Sequence, residues 1–385
     1  STAGYFVGVL GAGANTGNVA WTNVMVSAAL ANVTSTAGHY VGVLGAASFR
    51  DVTWTNVTIF ATLANVTSNG TGFIGVLGAV SNGNMTWTNA SVSVARADVT
   101  STAGTYVGVL GTGSVTVAWT NVTVSAVLAN VTSTATAYAV GVLGAGSSAG
   151  VAAWTNVAVS AANANITSTA ASFVGVLGAG SSSDTMWTNV TVSAVLVDVT
   201  STATYAVGVL GVGSGGIAAW ANVAVSAANA NITATATNFV GVLGAGSNTD
   251  MPWTNVTISA ASANVTSTAS RCVGVLGAGS NRVVTWTTVT VSATLANVTS
   301  TAAYYAGILG AGNFNRNVTW TNVTVSAKLA SVTSTATGYV GVIGAASMGD
   351  ITWANVAVSA ATANIASTTA SSYVGVLGAG TNSAM

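Results

Sequence analysis

The sequence predicts an all-β protein folded as a parallel β-solenoid, a rod in which each turn of the chain adds one layer of strands. Three observations lead to this prediction. The block Val-Gly-Val-Leu-Gly recurs twelve times, with minor variants, at intervals of 33 or 34 residues. One of the eleven tryptophans lies between each pair of blocks. Residues that favour strands dominate, whereas the helix formers Glu and Gln do not occur.

Each repeat of about 33 residues is predicted to form one coil with three short strands. In the first full repeat these strands are Tyr5–Leu10, Ala20–Ala28 and Leu30–Thr36. Residues 1–385 would form a single continuous solenoid of about eleven coils without capping domains. Because paired strands lie about 4.8 Å apart, such a rod would be about 50 Å long.

Alternation of apolar and polar residues assigns the faces of these strands. In the second strand, the predicted inward side comprises Thr22, Val24, Val26 and Ala28, and the outward side comprises Trp21, Asn23, Met25 and Ser27. The alternative for the tryptophan is to fold over a corner. In the third strand, the inward side comprises Ala31, Val33 and Ser35, and the outward side comprises Asn32, Thr34 and Thr36. The repeated glycines are expected to permit close approach between sheets or to a neighbouring subunit.

Charge and hydropathy exclude two classes of partner. Only 3% of the 385 residues are charged and the formal net charge is zero, whereas soluble domains usually carry about 25% charged residues. A neutral chain has no electrostatic attraction for nucleic acid, so no nucleic-acid partner is predicted. The longest apolar runs are about eight residues, far short of the ~20 that a membrane-spanning helix needs, so no membrane span is predicted.

The side chains that usually carry catalysis are scarce. His39 and Cys272 are single representatives of their types, which excludes a His-based triad, a His metal cluster and an internal disulfide. Asp98 and Asp198 stand where other repeats have Asn, and the other acids lie in corner loops at Asp51, Asp184, Asp250 and Asp350. No two of them are spaced as the carboxylate pair of a glycan-cleaving enzyme. The sequence therefore predicts no enzyme activity, no metal and no cofactor.

The most frequent motif is Asn-x-Ser/Thr, the acceptor for N-glycosylation. Thirteen of the sixteen copies occupy two repeat positions, both predicted to face outward. The candidates are Asn32, Asn56, Asn65, Asn69, Asn84, Asn89, Asn121, Asn130, Asn165, Asn189, Asn231, Asn255, Asn264, Asn297, Asn317 and Asn322. Covalent N-glycans, with O-glycans on Ser and Thr, would keep a rod with few charges in solution. The alternative is that stacked Asn side chains form hydrogen-bonded ladders.

A second motif, Thr-x-Thr, ends nine of the eleven repeats, for example at Thr34 with Thr36 and at Thr299 with Thr301. These rows resemble the flat threonine arrays of solenoid antifreeze proteins. That resemblance implies ice binding. The alternative function is therefore a binding module, an adhesin or an ice-binding solenoid, that uses these rows. The opposing interpretation is that Thr is a common exposed strand residue that pairs well across strands.

The ends of the chain lack the atypical polar repeats that cap monomeric solenoids. We therefore expect the rod to continue, either within a longer polypeptide or by head-to-tail stacking on other copies of itself.

The stacked V-G-V-L-G-A-G-S blocks resemble the repeats of bacterial surface β-helix proteins. The dense N-V-T-V-S and N-V-T-S-T runs are similar to those of large surface β-helix proteins and flagellar hairs of protists. This resemblance covers the whole chain and implies an extracellular location and a scaffold or adhesive role. We expect a structural protein that forms the shaft of an extracellular, glycosylated filament or surface fibre by end-to-end stacking of coils.

Overall fold

A computed structural model confirms the parallel β-solenoid. It describes residues 6–7, 10–14, 17–36, 39–48, 50–134, 137–169, 171–202, 205–235, 238–268, 271–301, 304–313, 316–335, 338–368 and 373–381. These residues contain 36 strands and no helix. Strands pair in parallel with their equivalents one repeat further along the chain, so that identical residues meet across coils, as Trp154 meets Trp187.

One coil contains three strands, as predicted. In the coil that begins at Phe173, a glycine-rich strand (Phe173–Ser181) is followed by a tryptophan strand (Thr185–Val195) and a short asparagine strand (Asp198–Ser201). The eleven tryptophans enclose ten turns, from Trp21 to Trp353, and glycine-rich strands lie before the first and after the last.

The same three strands recur along the rod, and some of them merge or divide. The glycine-rich strands are Phe6–Val7 with Leu10–Ala14, Tyr40–Val41 with Leu44–Ser48, Phe73–Ile74 with the start of Leu77–Ser101, the start of Tyr106–Val127, Ala139–Ser147, Phe173–Ser181, Ala206–Ser214, Phe239–Ser247, Cys272–Ser280, Tyr305–Asn313, Tyr339–Ser347 and Tyr373–Thr381. The tryptophan strands are Val19–Thr22 with the start of Met25–Ser35, Val52–Thr55 with the start of Thr58–Ser68, the middle of Leu77–Ser101, the rest of Tyr106–Val127, Ala152–Ala162, Thr185–Val195, Ala218–Ala228, Met251–Ala261, Val284–Thr294, Val318–Thr321 with Thr324–Lys328, and Ile351–Ala354 with Ala357–Ala361. The asparagine strands are the ends of Met25–Ser35, Thr58–Ser68 and Leu77–Ser101, then Ala129–Ser133, Asn165–Ser168, Asp198–Ser201, Asn231–Ala234, Asn264–Ser267, Asn297–Ser300, Ser331–Ser334 and Asn364–Ser367.

In the first repeat the predicted strands differ in their bounds. The strand predicted at Ala20–Ala28 is interrupted at Asn23, and its second half continues through Leu30 to Ser35 as a single strand. Of the strand predicted at Tyr5–Leu10, Tyr5, Gly8 and Val9 lie outside the described residues.

The tryptophan faces the core, so the outward assignment of Trp21 and the inward assignment of Thr22 were wrong. Trp21 packs against the hydrophobic core, and Thr22 is exposed. The reason is Asn23, whose φ of 55° is left-handed and resets the alternation of the strand. The Val and Ala positions after it point inward, and the third strand alternates as predicted.

The inward tryptophans form one continuous stack along the rod. Successive ring centroids lie 4.5–5.3 Å apart, and nine of the ten neighbouring pairs are within 15° of parallel. Rows of Val, Leu and Ala complete a single core that runs from coil to coil. Burial of these rows is the main stabilising term, and the ring stack adds to it.

The repeated glycines permit close approach between successive coils of the rod. The expected close approach was between sheets or to a neighbouring subunit. A Cβ atom on Gly175 would lie far inside van der Waals contact with the carbonyl oxygen of Gly208 in the next coil. A Cβ atom on Gly178 would meet the carbonyl oxygen of Val140 in the preceding coil in the same way. Both positions therefore require glycine because backbone atoms of neighbouring coils occupy the space of a side chain.

Candidate functional site

The first candidate surface is the row of asparagines two residues after each tryptophan, which we call Asn row 1. Ten of its eleven members are Asn, and only Thr288 departs from this. Each has a φ between 52° and 56°, a backbone region that Asn enters more readily than other side-chain-bearing residues. The backbone therefore explains why Asn also occurs in the repeats that lack an acceptor sequence.

The side chains of Asn row 1 are joined along the rod. Nδ2 of each Asn donates to Oδ1 of the Asn one coil earlier, over distances of 2.9–3.2 Å. The ladder is interrupted only at Thr288, which lies between Asn255 and Asn322. Asn row 1 is thus a structural ladder that also contains six of the predicted glycosylation sites.

A second ladder, Asn row 2, begins the asparagine strands and contains seven further candidates. Asn130 donates to Oδ1 of Asp98 at 2.6 Å, and Asn231 donates to Oδ1 of Asp198 at 2.7 Å. The neighbouring Asn–Asn bonds are 2.9–3.1 Å long. Both acids therefore act as ladder acceptors, as expected for residues that replace Asn.

The three remaining candidates lie outside the two rows and also bind neighbouring coils. Oδ1 of Asn69 accepts from Oγ1 of Thr102 at 2.9 Å, and Oδ1 of Asn317 accepts from the backbone N–H of Asp350 at 3.1 Å. The backbone N–H of Asn84 donates to Oδ1 of Asp51 at 2.8 Å. The carboxylate of Asp51, in one corner, thus accepts a hydrogen bond from the backbone of the next coil.

All sixteen candidate asparagines are exposed, which confirms the outward position predicted for the thirteen in the two rows. N-glycosylation replaces one of the two Nδ2 hydrogens, so a modified Asn retains one hydrogen for its ladder bond. Sequons in adjacent coils lie only about 4.8 Å apart. Sugars attached to both would compete for the same space, so we expect neighbouring sites to be occupied alternately.

The outward threonines of the Thr-x-Thr motif also form two rows along the rod. Thr200, Thr233 and Thr266 meet in register in one row. In the other row, Oγ1 of Thr169 donates to the carbonyl oxygen of Thr134 at 3.1 Å, and Thr335 donates likewise to Thr301 at 2.9 Å. The second row thus uses hydroxyl hydrogens for bonds between coils.

Catalytic and metal-binding groups are not assembled in the described residues. No group of three His, Cys, Asp or Glu side chains is close enough there to hold a metal ion. Cys272 is fully buried, and desolvation raises the pKa of its thiol well above the usual range. Nδ1 of His39 lies 3.2 Å from Oγ1 of Thr71 at the surface.

The part of the chain that the structure describes contains no helix with the length and hydrophobicity needed to cross a membrane.

No family model, curated protein or solved structure matches the chain.

Sequence reasoning missed a row of aromatic rings on the outside of the glycine-rich strands. It contains Phe73, Tyr106, Phe173, Phe239, Tyr305 and Tyr339, with Tyr138 and Tyr205 inserted where the row itself has Ala. The signal was present in the sequence, because Tyr precedes Ala139 and Ala206 in two of the three repeats that lack the ring, the third having Cys272.

Proposed function

We propose that this protein is structural and forms the shaft of an extracellular, glycosylated filament or surface fibre. The observation that carries the proposal is the unbroken axial stack. Identical residues of successive coils meet in register, and one tryptophan column spans the rod. Such a core resists bending at every level, which is the property that a shaft needs.

End-to-end stacking of coils is supported by the contacts between coils inside the rod. Val174 and Leu177 of an interior coil are fully buried, and their strand pairs with an equivalent strand on each side. Because the same residues recur in every repeat, a coil of a second copy could pair in the same way.

Glycans are the second part of the proposal. A surface with 3% charged residues has little charge to maintain it in solution. N-glycans on exposed members of the two Asn rows, and O-glycans on Ser and Thr, would supply the missing hydration. The sides of the rod would then be covered while its ends stay free to stack.

Electron microscopy of the purified 385-residue chain tests the assembly. Filaments several times longer than the single rod of about 50 Å are expected. The double variant Val374→Lys/Leu377→Lys should give single rods, because charges would be buried between coils. Leu128→Lys, at a residue 52% exposed on the side of the rod, is the matched control and should leave filaments intact. Single rods of the unchanged protein at every concentration would contradict end-to-end stacking.

Glycopeptide mass spectrometry of protein from a glycosylating host tests the coat. Occupied sites are expected at the candidate asparagines, with few molecules modified at both Asn264 and Asn297, which lie in adjacent coils. Unmodified Asn at all sixteen positions would leave the ladders as their sole role.

The alternative function is that of an adhesin or an ice-binding solenoid, favoured by the register of the exposed first threonine row. Thermal hysteresis of the unglycosylated protein would support ice binding. Substitution of Thr200, Thr233 and Thr266 by Lys should then abolish it, while the filament proposal predicts no hysteresis.

A further inference from the structure

The outer face of the glycine-rich strands contains a groove that the shaft function does not explain. Its volume is about 310 Å³. Aromatic side chains of Tyr138, Phe173 and Tyr205 line it on one side, and polar corner residues, including Ser182 and Asn248, line it on the other. The groove lies between the start of the strands and the corner loops that follow them.

The aromatic side has a specific arrangement. The rings of Tyr138 and Tyr205 lie 5.1 and 5.4 Å from the ring of Phe173, and each is inclined to it by 73°. Elsewhere in the row the rings are stacked, as Phe73 and Tyr106 are, with 8° between their planes. The rotation follows from sequence, because Tyr138 and Tyr205 extend from the residue before the usual ring position. Both rings remain partly exposed, whereas Phe173 is buried beneath them.

The spacing of the two tyrosines is set by the solenoid. They are two coils apart, which corresponds to about 10 Å along the rod axis. One sugar of an extended, equatorially linked glycan advances by nearly the same distance as one coil. Alternate sugars of such a chain, which present the same face, would therefore reach Tyr138 and Tyr205 in turn.

The chemistry of the lining selects a neutral ligand. The described residues that line the groove are all uncharged, and Arg271, which acts electrostatically on Tyr205, is not among them. The lining itself therefore suits a neutral ligand better than a phosphate or a uronate. Burial raises the pKa of Tyr138 and of Tyr205 to about 12, so both phenols stay protonated and can donate hydrogen bonds at neutral pH. Oδ1 of Asn248 accepts a hydrogen bond from Nδ2 of Asn281. This bond fixes the side-chain amide of Asn248 at the edge of the groove.

A peptide is a poorer fit than a sugar. Peptides that bind to sheets do so by adding a strand to a free edge, whereas the glycine-rich strand Phe173–Ser181 is already paired on both sides, with Ala139–Ser147 and Ala206–Ser214. Sugars combine C–H faces, which pack on the negative faces of aromatic rings, with hydroxyls that match Ser and Asn.

We propose that this groove binds an extended, neutral polysaccharide that runs along the rod axis, with alternate sugars on Tyr138 and Tyr205. The proposal goes beyond the shaft function and stands whether or not coils assemble into filaments. It would let a fibre of this protein attach to a neutral glycan matrix.

Isothermal titration calorimetry with three hexasaccharides tests the proposal. Cellohexaose, which is extended and neutral, should bind. Maltohexaose, which is neutral but curved, and hexagalacturonate, which is extended but charged, should bind at least about tenfold more weakly. The double variant Tyr138→Ala/Tyr205→Ala should weaken cellohexaose binding at least about tenfold, since each ring contributes separately. Tyr304→Ala, at an exposed tyrosine outside the groove, is the control and should bind as the unchanged protein does.

Three results would overturn the proposal: no cellohexaose binding by the unchanged protein, equal binding of all three sugars, or unchanged binding by the double variant. Circular dichroism will show whether the double variant folds. If it does not, Ser182→Lys replaces it, because this exposed corner residue can extend a long side chain across the groove without touching the core. Full cellohexaose binding by Ser182→Lys would then also overturn the proposal.

Discussion

Two aromatic columns run along this rod, one inside and one outside, and they differ in how much variation they accept. The inner column has Trp in all eleven repeats. The outer column contains either Phe or Tyr, shifts its ring by one residue at Ala139 and Ala206, and contains Cys272 in place of a ring. The inner site is closed on all sides by Val, Leu and Ala rows, so only one shape fits it. The outer site borders solvent, so rings can enter it from either of two positions.

The inner column is also chemically unusual. Within the described residues, all eleven indole N–H groups are buried without a hydrogen-bond acceptor. Each such group costs about 1–3 kcal/mol. Apolar burial and ring stacking must outweigh this cost at every level.

The sharpest test of the comparison removes one ring from each column. Trp187→Ala should lower the free energy of unfolding by about 3–5 kcal/mol, because the surrounding rows cannot close the cavity. Phe239→Ala should cost less, about 2–3 kcal/mol, because the partly exposed ring of Tyr205, 5.5 Å away, can move into part of the space. Urea unfolding followed by tryptophan fluorescence measures both. Equal losses would contradict the view that the two columns differ in their tolerance.

A second test compares two glycines on the same strand. Gly175→Ala should destabilise the rod by about 1–3 kcal/mol, because the added methyl meets a backbone carbonyl of the next coil. Gly180→Ala should cost less, because its methyl meets the ring of Phe173, which can rotate outward. Thermal unfolding of the two variants, compared with the unchanged protein, gives the order. A larger loss for Gly180→Ala would show that the outer ring is as fixed as the backbone.

A third change should stabilise the turn that Asn row 1 forms in each tryptophan strand. Thr288 has a φ of 56° although it is β-branched, and it interrupts Asn row 1. Thr288→Asn should raise the free energy of unfolding by about 1 kcal/mol, since Asn tolerates this backbone better and would rejoin Asn255 to Asn322. Thr287→Asn, one residue earlier and without a positive φ, is the control and should not stabilise. A neutral or destabilising effect of Thr288→Asn would show that the turn is held by other contacts.

The smallest effect concerns reactivity. Because burial raises the pKa of the Cys272 thiol, the native protein should contain almost no thiolate at neutral pH. Iodoacetamide should therefore modify Cys272 slowly in the native state, and rapidly once urea unfolds the rod, as mass spectrometry will show. Rapid modification of Cys272 in the native protein would mean that the outer column opens locally around this residue.

Much of the fold followed from the period of the sequence, and the exceptions have local causes. The third strand was correct because Ala31, Val33 and Ser35 alternate without interruption. The side of Trp21 was wrong because simple alternation cannot reveal a left-handed residue, here Asn23. The outward position of the candidate asparagines was predictable, since polar residues alternate with Val. The groove was not, because it depends on where Tyr138 and Tyr205 rotate in three dimensions.

The parallel pairing of coils also sets how the rod would fail under load. The hydrogen bonds between its coils run along the axis, so a pull on one end loads only the bonds of the outermost coil, while all others remain unloaded. Bending strains many coils at once and meets far more resistance. Force would therefore peel the protein one repeat at a time, and each step would release a single tryptophan into water.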